Sequence, residues 1–137
     1  MNAASFQLPV RVYYEDTDAG GVVYYANYLR YLERARTEWL RHLGTPRERL
    51  RAEVGWVFVV SQVEARYLRP ARLDDLLTVH CSVREANRAS VLFEQSVERD
   101  GETLFRATVR VACVDSQSFK PQRIPADLLA SLTPQSP

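Results

Sequence analysis

The chain has 137 residues and a mass of 15.7 kDa, enough for one domain with its own core and short for two. Its composition, 46% hydrophobic, 26% charged and 10% aromatic, is that of a globular domain, and no apolar run reaches the ~18–20 residues of a membrane span. Eighteen Lys and Arg against seventeen Asp and Glu leave a net charge of +1, which argues against the strongly basic face of a nucleic-acid binder.

Residues 1–137 read as a single domain, ordered over about 6–132 and ending in a disordered tail at 133–137. No basic region followed by an apolar run opens the chain, so a secretory leader is not expected. Cys81 and Cys113 lie in apolar, strand-like runs and read as buried free thiols of a cytoplasmic protein.

A first strand is expected within Phe6 to Glu15, with Val10, Val12 and Tyr14 on one face and Arg11 and Tyr13 on the other. A polar turn, Asp16-Thr17-Asp18-Ala19-Gly20-Gly21, ends it. From about Asn27 to His42 the spacing of Tyr28, Leu32, Ala35 and Trp39 predicts an amphipathic helix, widened by Leu29 and Leu40. Asn27 is placed to cap its start, and Gly44 followed by Pro46 stops it. Residues 46–53 can form a second short helical piece, ended by Gly55.

The remainder reads as sheet. Val57, Val59, Ser61, Val63, Ala65 and Tyr67 share one face of a strand, with Gln62, Glu64 and Arg66 on the other. Leu77, Val79, Cys81 and Val83 alternate with polar residues, as do Val91, Phe93 and Val97, and then Phe105 through Cys113. Asp100-Gly101 marks a tight hairpin, Glu85 to Ala89 a looser connection, and Pro125 a short amphipathic segment through Leu128, Leu129 and Leu132. One long helix beside an antiparallel sheet is an α+β domain. A 16-residue helix spans only about 24 Å and cannot shield four or five strands, so self-association through the sheet is expected.

Several chemistries fit poorly. His42 and His80 have no partner at metal-ligand spacing, the cysteines are far apart, and no histidine is placed to serve a Ser or Cys nucleophile. Phosphate-binding glycine motifs are absent from the sequence. The unusual feature is Glu15, Asp16 and Asp18 directly before a hydrophobic stretch and the helix start. They can serve as turn and capping groups. Equally, one carboxylate can stand at the mouth of an apolar pocket, where helix N-terminal amides stabilise an oxyanion.

The stretch from Tyr13 to Tyr28, YYEDTDAGGVVYYANY, closely resembles the signature of the hotdog-fold acyl-CoA thioesterases of the 4-hydroxybenzoyl-CoA thioesterase superfamily, and within it the tol–pal-associated (YbgC-like) branch. The likeness continues through Glu33 to Glu38, Tyr67 to Asp75, Val114-Asp115 and Lys120-Pro121, covering roughly residues 8–130. The resemblance implies a hotdog fold, a long central helix wrapped by a curved antiparallel sheet of about five strands. It also implies dimers or tetramers with active sites at the subunit interface, and no cofactor or metal.

By the same resemblance, Asp18 is the catalytic carboxylate, acting as nucleophile or general base, and the Tyr25 backbone N–H is the oxyanion contact. Many members of the branch carry histidine where this chain has Tyr25, a difference that leaves a backbone contact intact. Asp16 would hold the loop, Asn27 would support the site, and Gly20 would let the chain bend toward the thioester. A CoA substrate carries phosphates, for which Arg88 is the first choice, with Lys120 and Arg123 behind it. Each is equally readable as a solvated surface charge. The expected activity is hydrolysis of a short-chain or aromatic acyl thioester of CoA or acyl carrier protein. The competing reading is a non-catalytic acyl-thioester binder or an envelope-associated interaction protein on the same scaffold.

Overall fold

Strict alternation of apolar and polar side chains, interrupted at a few defined points, sets the sheet. The computed structural model describes residues 5–44 and 55–133. Five strands, β1 (Ser5–Arg11), β2 (Trp56–Tyr67), β3 (Leu76–Ala86), β4 (Ser90–Arg99) and β5 (Glu102–Asp115), form one antiparallel sheet in the order β1-β3-β4-β5-β2. Helix α1 (Asn27–His42) packs on one face, and a short helix α2 (Ala126–Leu132) follows the last strand. This is the α+β hotdog arrangement, a long helix wrapped by a five-stranded antiparallel sheet.

The core lies between α1 and the inward residues of β3, β4 and β5. Tyr31, Leu32 and Ala35 of the helix are fully buried against a layer that includes Leu77, Val79, Val97 and Phe105. Burying each such aliphatic side chain contributes about 1.5–3 kcal/mol. Gln95 occupies a core-facing position of β4 and is buried, donating to the Leu32 carbonyl at 3.0 Å and accepting from Arg36 at 2.8 Å. Cys81 and Cys113 are buried free thiols, pushed up by burial to about 12 and about 11. No helix among the described residues is long and apolar enough to cross a membrane.

Several local expectations give way to tertiary structure. β1 ends at Arg11, not Glu15, because Tyr14–Asp16 close into one turn of 3-10 helix. Val12 stays buried, but Tyr14 turns outward and is 81% exposed. Asn27 is the first residue of α1, not its cap; Ala26 stands at the cap position. Leu29 is exposed, and Tyr31 takes the buried place beside the helical stripe. The expected helical piece at 46–53 and the expected tail at 134–137 lie outside the described residues.

β2 also departs from its sequence pattern. A bulge between Val60 and Gln62 shifts the register, so Phe58 and Val60, opposite Cys113 and Val111, share the core-side face with Val63, Ala65 and Tyr67. One extra residue exchanges the two faces of the preceding segment. The Asp100-Gly101 hairpin forms as expected, both residues with positive φ (53° and 82°), joining Arg99 directly to Glu102. Gly44 ends α1 at φ 82°, its N–H donating to the Arg41 carbonyl.

The two sheet edges differ. β1 is seven residues long and carries Pro9, which blunts it. β2 is twelve residues long, and Val60, Val63 and Tyr67 are 51%, 39% and 49% exposed along it. A long apolar edge of this kind is a template for pairing.

Candidate active site

The loop between β1 and α1 is built on Asp16. Its carboxylate accepts the Tyr13 N–H at 2.9 Å, and its carbonyl accepts both the Tyr24 N–H at 2.9 Å and the Asn27 side-chain amide at 2.8 Å. Asp16 is buried, and its charge adds to burial in pushing the pKa of the Tyr31 hydroxyl up. Its carboxylate and its carbonyl thus both hold the loop together.

Asp18 is placed differently. Its backbone N–H donates to the Val22 carbonyl at 2.9 Å and its carbonyl accepts the Gly21 N–H at 3.0 Å, closing a tight reversal. Gly21 makes that reversal with φ +80°. The Asp18 carboxylate is exposed; Oδ1 accepts the Gly20 N–H at 2.8 Å, and Oδ2 makes no hydrogen bond among the described residues. A methyl group on Gly20 would stand 3.2 Å from Oδ1, so glycine is what permits this close approach.

Asp18 opens onto a cleft of about 360 Å³ lined by Val22, Tyr24, Tyr25, Tyr28, Tyr67 and Leu68, among others. The rings of Tyr24 and Tyr25 lie 4.9 Å apart and those of Tyr28 and Tyr67 5.4 Å apart. The far wall is held by the bulged residue Leu104, whose carbonyl accepts the N–H groups of Leu68 and Arg69 at 2.8 and 3.0 Å.

The Tyr25 N–H has no acceptor among the described residues. Its direction follows from its neighbour. The Tyr24 carbonyl, in the same peptide plane, accepts the Asn27 N–H at 2.8 Å, and in a trans peptide the N–H points the opposite way. The Tyr25 N–H therefore points away from the helix, at its positive end, on a residue that lines the Asp18 cleft.

Arg88, Lys120 and Arg123 come together elsewhere. The Arg88 carbonyl accepts the Ile124 N–H at 2.7 Å, and the Lys120 carbonyl accepts the Asp115 N–H at 2.9 Å. The Asp115 carboxyl, held below its usual range by the Ser118 and Gln117 amides, shapes the turn that carries Lys120. Strand register measures the separation. Tyr67 of the cleft pairs with Phe105, whereas Ser90 beside Arg88 pairs with Ala112. That run of β5 is roughly 23 Å long at ~3.3 Å per residue. Within one chain the three basic residues stand at the opposite end of the sheet from Asp18. Tyr67, absent from the sequence-based site, lies in the cleft; its position at the head of the Tyr67-Leu68-Arg69-Pro70 segment was the available clue.

The five-stranded sheet wrapped on a long helix is the hotdog fold, and its cleft brings together an exposed carboxylate and a helix-start amide that has no acceptor among the described residues. Residues 12–132 match the family model described as the thioesterase-like superfamily. The chain is 50% identical over 126 residues to the acyl-CoA thioesterase YbgC of Haemophilus influenzae, across 92% of this chain and 93% of that one. The crystal structure of a protein described as a probable thioesterase from Bartonella henselae shares 36% identity and a TM-score of 0.85, covering 89% of this chain and 100% of that one. A 4-hydroxybenzoyl-CoA thioesterase mutant, solved in complex with 4-hydroxybenzoyl-CoA, shares 25% identity and a TM-score of 0.86 over 96% of this chain and 100% of that one. The chain belongs to the thioesterase-like superfamily, as a hotdog-fold hydrolase closely related to the YbgC and 4-hydroxybenzoyl-CoA thioesterases.

Proposed function

We propose that the protein hydrolyses short-chain or aromatic acyl-CoA thioesters to the free acid and CoA, with Asp18 as the reacting carboxylate and the Tyr25 N–H as oxyanion donor. The observation that carries this reading is the shared cleft: an Asp18 oxygen without a hydrogen bond among the described residues, and a helix-start amide without an acceptor among them. In the nucleophilic route Asp18 attacks the thioester carbon, the C–S bond breaks, CoA leaves as thiolate and takes a proton, and water then hydrolyses the mixed anhydride. In the general-base route Asp18 takes a proton from a water that attacks the thioester carbon, the C–S bond breaks, and CoA leaves as thiolate and takes that proton. Both develop negative charge on the carbonyl oxygen, which the Tyr25 N–H would stabilise. Asp16 and Asn27 serve as the frame of the loop, and Gly20 admits the Asp18 carboxylate at close range.

The complete site is proposed to lie between two copies. If two β2 edges pair about a two-fold axis, the strands run antiparallel, and the Trp56 end of one meets the Tyr67 end of the other. That brings Arg88, Lys120 and Arg123 of a second copy toward the Asp18 cleft, where they would meet the phosphates of CoA or of an acyl carrier protein. The product acid and thiol need no cofactor, and the buried thiols suit a reducing cytoplasm. Thiol release from a panel of short-chain and aromatic acyl-CoAs tests the reading; no turnover of any by the wild type would overturn it.

A further inference from the structure

Tyr67 is the last residue of the edge strand β2, yet its hydroxyl donates to the Tyr25 carbonyl at 2.8 Å, across 42 residues of sequence. Its ring is fixed by edge-on contacts with Phe105 at 4.8 Å and Tyr28 at 5.4 Å between centroids. Burial pushes its pKa above the ordinary phenol value, so the hydroxyl is a protonated donor at neutral pH.

The helix leaves the Tyr25 carbonyl to this bond. The Leu29 N–H, which would ordinarily serve a carbonyl four residues back, donates to Ala26 instead at 3.2 Å. The peptides on the two sides of Tyr25 are thus pinned separately. Asn27 holds the Tyr24 carbonyl from within the helix, and Tyr67 holds the Tyr25 carbonyl from the sheet.

We infer that Tyr67 is a positioning residue: its hydroxyl fixes the peptide after Tyr25 while Asn27 fixes the one before, and the two bonds together hold Tyr25 and its oxyanion-donating N–H in place against the sheet edge. This rests on the proposed role of that amide. It also gives β2 a part in turnover, because a frayed edge strand would release the Tyr25 peptide along with itself.

Tyr67→Phe removes the hydroxyl and keeps the ring contacts, so the fold is retained. Loss of an oxyanion donor costs about 10²–10³ in kcat, and a donor left present but held by one anchor where there were two should cost less, about tenfold. The expected result is a tenfold lower kcat with unchanged KM, unchanged affinity for a non-hydrolysable S-alkyl-CoA thioether, and an unchanged melting temperature. The thioether has no carbonyl and does not sense the donor. Unchanged kcat, or a loss matched by weaker thioether binding or lower melting temperature, would overturn the assignment. Asp18→Asn, measured alongside, separates the two claims: an inactive Asp18→Asn with a fully active Tyr67→Phe removes only the role of Tyr67, whereas an active Asp18→Asn removes the reading beneath it.

Discussion

The side-chain amide of Asn27 donates to the backbone carbonyl of Asp16 at 2.8 Å, fastening the first turn of α1 to the loop that carries Asp18. The bond is buried, and the same carbonyl serves the Tyr24 N–H. Asn27→Ala leaves that carbonyl with one donor fewer but still bonded to Tyr24, and should cost about 0.5–1.5 kcal/mol of stability. Asp16→Asn should likewise cost mainly stability. Thermal unfolding checks both, and wild-type melting temperatures in the two variants would remove the anchoring role.

Gly20→Ala places a methyl carbon 3.2 Å from the Asp18 Oδ1. The carboxylate must move by a few tenths of an ångström, and small displacements of a reacting group are expensive, so kcat should fall about tenfold. Circular dichroism and light scattering should be unchanged. A kcat equal to wild type would show that the carboxylate is not held at the position its chemistry needs.

The apolar edge of β2 predicts association. Light scattering at micromolar concentration should report a dimer or tetramer, and Val63→Lys, a charge on the core-side face of that edge, should shift it toward monomer and lower turnover. A monomeric wild type with full activity would contradict the interfacial site.

Arg88→Ala should raise KM for acyl-CoA about fivefold while leaving hydrolysis of the corresponding acyl-pantetheine nearly unchanged, because only the nucleotide end carries the extra phosphates. Lys120→Ala and Arg123→Ala should follow with smaller effects. Equal losses on both substrates would assign these residues to the fold or the chemistry instead.

The helix was legible because its period is strong: Tyr28, Leu32, Ala35 and Trp39 place α1 at Asn27–His42, and the Asp100-Gly101 turn fixes one hairpin outright. The bulges at Ser61 and Leu104 were not, since a bulge is decided by the strands opposite and leaves no local residue pattern. The acidic cluster was visible as a site, but Asp16 and Asp18 are chemically alike. Only burial and hydrogen bonding separate the one spent on the loop from the one facing the cleft. Arg88 and Asp18 could not be ranged against each other without strand register, and Tyr67 gained a role only once β2 was laid beside the start of α1.

The most direct measurement is steady-state turnover of an acyl-CoA by Asp18→Asn. This change keeps size and hydrogen-bonding shape and removes the charge, so neither the reversal through Gly21 nor the Gly20 contact need be lost. The account predicts a fall in kcat of at least ~100-fold. Assembly state and melting temperature should stay those of the wild type. Turnover at the wild-type rate in a correctly folded and assembled Asp18→Asn protein would contradict it.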